Sequence, residues 1–188
     1  MLILTSIAVF GSAFNPPHRG HINAIEQLLP YFEQVIVVPS AAHAFGKNMA
    51  PFAQRMTMTQ LIVDEFLPQQ NVTISNIEWQ IKQHLADNNP IYSYDLLVEL
   101  QKAHPNDQLT LVIGPDNAAP ETWKKFYRHQ DIEDQFSLFT VEEQLPFRST
   151  QARETIAHVN NEELISALSA GHGTQVATYL QQQKLYSG

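Results

Sequence analysis

The chain reads as an α/β protein: a doubly wound, mostly parallel sheet with helices on both faces and a helical C-terminal segment. Short apolar runs of strand length alternate along it with apolar stripes at helical spacing. Most of those runs are continuously apolar, as strands covered on both faces are. The segments that follow them, residues 11–21, 40–47 and 114–116, carry glycine, proline, histidine and charge. In a sheet of this kind all three gather on the rim beyond the carboxyl ends of the strands, where ligands bind.

Taken in order, residues 2–10 form the first strand and run into Gly11, which can turn sharply or come close to a ligand. Ile22, Ile25, Leu28 and Leu29 mark the helix after it. Residues 34–38 (QVIVV) are a second strand, ended by Pro39. Met58, Leu61, Ile62 and Phe66 recur at helical spacing, and residues 72–79 alternate as a third strand. Leu96, Leu97 and Leu100 mark another helix, and residues 109–113 (LTLVI) are a strand stopped at Gly114. Trp123, Phe126 and Tyr127 form a helical stripe before a strand over residues 136–141. Helices around residues 164–168 and 176–180 close the chain. The longest irregular stretch, residues 40–51, leaves a strand and suits one wall of a site.

Composition narrows the function. A chain of 188 residues is one domain of ordinary size and can bury a core. With 44% hydrophobic and 16% charged residues it belongs among globular enzymes rather than disordered chains. A net charge of −8 argues against a polyanion-binding surface and so against nucleic acid as a partner. There is no cysteine, which excludes disulfides and thiolate metal sites and is compatible with a reducing cytoplasm. The apolar start lacks a basic flank and a cleavage site, so it reads as a strand rather than a signal peptide. No apolar segment approaches the roughly 20 residues of a membrane span.

Two constellations carry chemistry. In GSAFNPPHRGH (residues 11–21), Pro16 and Pro17 stiffen a turn that delivers His18 and His21 to a helix start. Free N–H groups and the positive end of the dipole make that start a natural phosphate site. Two imidazoles there can hold phosphate oxygens; a zinc pair is the competing reading, without a nearby carboxylate or thiol to complete it. In RSTQAR (residues 148–153), Ser149 or Thr150 can cap a helix whose first turn holds Arg153. Hydroxyls, free N–H groups and a guanidinium suit a triphosphate, while a capped surface helix explains the segment about as well. Gly114 and Asp116 either seat a nucleoside or form a plain turn. Gly46 and Lys47 lack the glycine and Ser/Thr of a P-loop, which excludes a Walker ATPase. Lys47 and Arg55 remain candidate phosphate cations. Trp123 reads first as core, and with Tyr92 or Tyr94 as an aromatic wall.

Together these segments resemble the HxGH nucleotidylyltransferases, most closely the bacterial nicotinate/nicotinamide mononucleotide adenylyltransferases. GSAFNPPHRGH is similar to the family's GGTFDPxHxGH, YSYDLL (residues 92–97) to SYTxxTL, and LVIGPD with Trp123 to IIGxD…W. RSTQAR is similar to ISSTxIR, and VATYLQQQKLY (residues 176–186) to VxxYIxxxxLY. The resemblance spans nearly the whole chain in order. It implies a Rossmann-like fold and one nucleotidylyltransferase domain over residues 1–188, with residues 148–188 as its C-terminal helical part. It also implies transfer of adenylate from ATP to nicotinate or nicotinamide mononucleotide, releasing pyrophosphate. By the resemblance, His18, His21 and Arg153 are catalytic, and Gly11, Ser12, Ala13, Phe14, Gly114, Asp116, Ser149 and Thr150 bind ATP. Asn15, Lys47, Arg55, Tyr94 and Trp123 bind the mononucleotide. Mg²⁺ arrives on the ATP phosphates, with no protein metal site. The expected partners are ATP and a pyridine mononucleotide, with no membrane; a homo-oligomer is compatible with the sequence, and the expected location is cytoplasmic. Ser12, Ala13 and Asn15 depart from the family's Gly-Thr and Asp, Arg148 stands where Ile is usual, and residues 139–148 are shorter than in typical members. The alternatives are an HxGH enzyme with another phosphorylated substrate and a non-catalytic nucleotide-binding relative.

Overall fold

The computed structural model describes residues 4–41, 49–84, 91–160 and 162–186. Its centre is strand β1 (Ser6–Ser12), whose residues are buried from Ile7 to Phe10. On one side β1 pairs with β2 (Gln34–Pro39), which pairs with β3 (Val72–Ile74). On the other it pairs with β4 (Gln108–Ile113), which pairs with β5 (Ser137–Thr140). All pairings are parallel and the order is β3-β2-β1-β4-β5. Val9 lies opposite Ile36 on one neighbour and Leu111 on the other.

Parallel pairing requires crossovers, and helices supply them. Helix α1 (Arg19–Leu28) joins β1 to β2, and α2 (Phe52–Phe66) lies between β2 and β3. Helices α3 (Ile77–His84) and α4 (Ser93–Ala103) come before β4. Short helices α5 (Pro115–Ala118), α6 (Pro120–Trp123) and α7 (His129–Gln135) precede β5. The chain ends in α8 (Ser149–His158), α9 (Leu164–His172) and α10 (Thr174–Gln183). Alternation along β1 divides the core into two. Ala8 and Phe10 pack with Ile25, Met58, Ile156 and Leu180. Ile7 and Val9 pack with Leu97, Leu100, Trp123 and Ile132. Because the chain winds outward from β1 to β3 and then crosses back to β4, the reversal falls between β1 and β4. A crevice opens there beyond the strand ends.

Three expectations shift. The first strand begins at Ser6 and extends through Gly11 and Ser12, since Gly11 pairs with Val38 and Ser12 with Pro39; Gly11 is extended backbone, not the turn. The third strand stops at Ile74, where Ser75 Oγ accepts the Ile77 N–H at 3.2 Å and starts a helix through Trp79. The stripe of Trp123, Phe126 and Tyr127 is not one helix: α6 ends at Trp123 and Arg128 adopts a left-handed backbone before α7. Among the described residues no helix is long and apolar enough to cross a membrane.

The three C-terminal helices share the core on the Phe10 side, and Leu180 of α10 is completely buried there. Leu180→Ala should cost about 2–5 kcal/mol, the range for removing a buried leucine. The urea midpoint checks this: a shift of under about 1 kcal/mol would mean that α10 is not part of the cooperative unit.

Candidate active site

At the reversal between β1 and β4 lies a cavity of about 230 Å³, with His18, Gly20, His21, Gly114, Asp116, Glu143, Phe147 and Arg148 in its lining. Segments following three strands and the start of α8 meet there. The turn from β1 into α1 contributes most. His18 is the N-cap of α1, and its Nδ1 accepts the Gly20 N–H at 3.1 Å. His21 reaches back, its Nδ1 accepting the His18 N–H at 3.1 Å. The two rings lie 3.8 Å apart, tilted by 37°. The motif therefore caps its own helix with imidazoles where serine and glutamate usually serve. Gly20 is required by the fit, because an added Cβ would stand 2.9 Å from His18 Nδ1.

These two bonds fix the chemistry of the pair. An Nδ1 that accepts a hydrogen bond carries no proton, so each neutral ring holds its proton on Nε2. His21 Nε2 lies 3.1 Å from Ser12 Oγ and donates to it. Burial, then the neighbouring His21 and His172, lowers the His18 pKa to about 2. Burial, then His172, lowers that of His21 to about 3. At neutral pH the site presents two uncharged N–H donors. Zinc ligation would need a bare Nε2, so the arrangement favours the phosphate reading over the metal reading.

The carbonyls of the turn are held from elsewhere. The Ser40 N–H donates to Ser12 O at 2.9 Å. Arg55 is 1% exposed, and its Nη1 donates to Ala13 O at 2.8 Å and its Nε to Ala50 O at 2.9 Å. Arg153 Nη1 donates to Asn15 O at 2.6 Å, and Ser149 Oγ to Pro16 O at 2.7 Å. His172 Nδ1 donates to Pro17 O at 2.6 Å. Asn15 Oδ1 accepts the Ala50 N–H at 3.0 Å and the Tyr186 hydroxyl at 2.5 Å. Burial pushes the Tyr186 pKa up to about 12, so this phenol keeps its proton and donates.

The structure thus brings His18, His21, Gly114 and Asp116 to one cavity, with Ser12 bonded to His21. Phe14 packs its ring 4.6 Å from that of His21. Gly11 is exposed beside this group. Ala13 and Asn15 engage the scaffold through the atoms just named. Ser149 and Thr150 open α8, but neither is its N-cap, contrary to the sequence expectation. Arg148 holds that place because Gln151 Oε1 accepts its N–H at 3.2 Å, while Ser149 is bound to Pro16. Arg153 Nη2 donates to Thr150 Oγ1 at 3.1 Å. Tyr94 and Trp123 are each 8% exposed in the opposite core. The Trp123 indole N–H donates to Glu133 at 2.7 Å, and the Arg128 guanidinium lies 3.9 Å from the centre of the Tyr94 ring. Tyr92 and Tyr127, their rings 4.7 Å apart, are the exposed pair beside them. Lys47 lies outside the described residues. The sequence reading missed His172, and also Glu143, which is ion-paired with Arg148 on the cavity wall. His172 sits alone in an apolar helix pattern, and Glu143 in a polar loop; neither leaves a local signal.

The sequence model of the Cytidylyltransferase-like family matches residues 9–155, from within β1 to within α8. The chain belongs to this family. A probable nicotinate-nucleotide adenylyltransferase of Chlorobium luteolum is 32% identical over 141 residues, 72% of this chain and 66% of the relative. One of Leptospira interrogans is 26% identical over 211 aligned positions, 98% of each chain. Among solved structures, a Vibrio parahaemolyticus protein provisionally named nicotinate-nucleotide adenylyltransferase superposes with a TM-score of 0.77 at 28% identity, covering 97% of this chain and 96% of the other.

The histidine pair makes the fold sensitive to acid. Unfolded histidine protonates near pH 6.5, whereas folded His18 and His21 resist until about 2 and about 3. Between those limits the unfolded chain binds more protons, so stability is complete above pH 6.5 and falls as the pH drops through the window. Each group should cost about 2 kcal/mol at pH 5 relative to neutrality. His18→Gln should flatten the dependence of the urea midpoint on pH. An unchanged slope would show that the ring is not held neutral.

Proposed function

We propose that this chain transfers adenylate from Mg²⁺-bound ATP to nicotinate or nicotinamide mononucleotide, giving the dinucleotide and pyrophosphate. The names of the relatives favour the nicotinate form. The observation that carries the reading is the pair of neutral imidazoles, tautomers fixed, in a cavity shared with Gly114, Asp116 and the start of α8.

The mononucleotide phosphate is already ionised and needs no protein base. One of its oxygens forms a bond to the α-phosphorus of ATP as the bond to the bridging oxygen breaks, and that electron pair leaves with pyrophosphate. Catalysis then rests on alignment and on donors aimed at oxygens that gain charge. His18 and His21 offer Nε2–H groups to those oxygens, His21 exchanging Ser12 Oγ for phosphate. Asp116 accepts ribose hydroxyls, with the open space over Gly114 admitting the nucleoside. The β- and γ-phosphates face the N–H groups that open α8, with Thr150 and the outer edge of Arg153. Mg²⁺ would come in on the ATP rather than be held by side chains of the site, and it would offset phosphate charge. Arg55 acts from behind, fixing the turn and the chain at Ala50 in one geometry. Arg148 supplies a cation that the family pattern lacks and moves from Glu143 to phosphate as ATP enters.

Pyrophosphate release from Mg²⁺-bound ATP, with each pyridine mononucleotide and with neither, tests the reaction. Release should require a mononucleotide. His21→Ala should cut turnover by about two orders of magnitude while the urea midpoint shows a folded protein. No release with either mononucleotide, despite ATP binding, would establish the non-catalytic alternative. Arg148→Ala should raise the KM for ATP roughly fivefold with little change in kcat, as loss of one exposed charge-assisted contact does. An unchanged KM would leave Arg148 as a surface partner of Glu143.

A further inference from the structure

His172 closes α9 and is 5% exposed, in a segment without catalytic neighbours in sequence. Its surroundings are built to hold it. Gly171 leaves room for the Phe147 ring of the cavity wall, since an added Cβ would meet Phe147 Cδ1 at 3.0 Å. Gly173 turns the chain at φ +78°, a conformation costly for any other residue. Glu65 of α2 then accepts the N–H groups of Thr174 and Gln175 at 2.9 and 3.0 Å, fixing the start of α10. The corner between α9 and α10 is thereby clamped against the site.

What it delivers is one donor to one peptide. His172 Nδ1 donates to Pro17 O, and the ring stands 6.1 Å from that of His18 at 88°. The N–H across the same peptide unit, that of His18, donates to His21 Nδ1. A continuous path therefore runs from His172 Nδ1–H, through the peptide of Pro17 and His18, into His21 and out at its Nε2–H. Hydrogen bonds in such a chain polarise one another, and each fixes the orientation of the next. Rotating this peptide would deprive His21 Nδ1 of its donor and release the ring to the other tautomer.

We infer that His172 is a positioning residue for the reaction, locking the peptide between Pro17 and His18 so that His21 presents Nε2–H to phosphate. The inference rests on the adenylyltransferase reading for its effect on rate, but the lock itself belongs to the free protein. Two variants separate its parts. His172→Phe keeps a ring in place and removes the donor. His172→Asn keeps an N–H at the position of Nδ1.

Nitrogen-15 spectra of the imidazoles in the full-length free protein should show His172 protonated on Nδ1 and His18 and His21 on Nε2. In His172→Phe the single tautomer of His21 should be lost, and kcat should fall roughly tenfold or more with the KM for ATP changing less than about threefold. His172→Asn should restore both. The inference is overturned if wild-type His172 is protonated on Nε2. It is equally overturned if His172→Phe, shown folded by its urea midpoint, keeps the His21 tautomer and wild-type kcat, or if His172→Asn is as impaired as His172→Phe. A wild-type protein without pyrophosphate release would refute the proposed reaction, and the tautomers would still decide the role of His172.

Discussion

Everything at this site depends on a turn that cannot hold itself together. Two of the residues between β1 and α1, Pro16 and Pro17, have no N–H to offer, and the turn is buried from Phe14 to His18. Buried carbonyls left without partners cost free energy comparable to a lost hydrogen bond. The fold answers by sending donors from remote elements: Ser40 after β2, Arg55 from α2, Ser149 and Arg153 from α8, and His172 from α9. Each side-chain donor is fixed by its own helix, so the turn inherits the rigidity of all of them. The helices that cover one face of the sheet are also the supports of the histidine pair.

That constraint accounts for a buried guanidinium that would otherwise be a liability. Arg55 is deep in the protein, and burial lowers its pKa from the usual arginine value. A buried cation is tolerated only with several good acceptors, and Ala13 O and Ala50 O provide them. Glu78 lies near enough to Arg55 to feel its charge and also accepts the Ala41 N–H at 2.8 Å. Burial raises the Glu78 pKa to about 7, against the pull of that N–H and of Arg55. The chain leaving β2 is thus tied at Ala41 by Glu78 and at Ala50 by Asn15 and Arg55.

How much of this was legible follows from where each signal lies. The strands, their order of appearance and the HxGH turn are local: a run of apolar residues or two histidines around Gly20 is visible in a single window. The partnership of those histidines with Gly114 and Asp116 follows from topology, because residues after adjacent parallel strands share a rim. Long-range hydrogen bonds leave no such trace. Ser149 and Arg153 read as phosphate ligands because their types and spacing suit phosphate, yet in the free protein Ser149 donates to Pro16 O and Arg153 to Asn15 O and Thr150 Oγ1. His172 pairs with a carbonyl 155 residues away, and nothing next to it in sequence marks that partner. The strand expected to Trp79 failed because alternation over a few residues also suits a short helix, and a single serine decided between them.

The departures in the turn acquire a physical meaning from the same network. Ser12 supplies the hydroxyl that occupies His21 Nε2–H in the free protein, so this donor rests on a neutral acceptor rather than in an ion pair. Ala13 enters the network through its carbonyl, an atom that any residue there supplies. Asn15 takes two donors, from Ala50 and Tyr186, on one oxygen. An aspartate would accept the same two bonds but add a negative charge to the turn that carries the histidine pair. The amide therefore preserves the geometry of the turn without that charge.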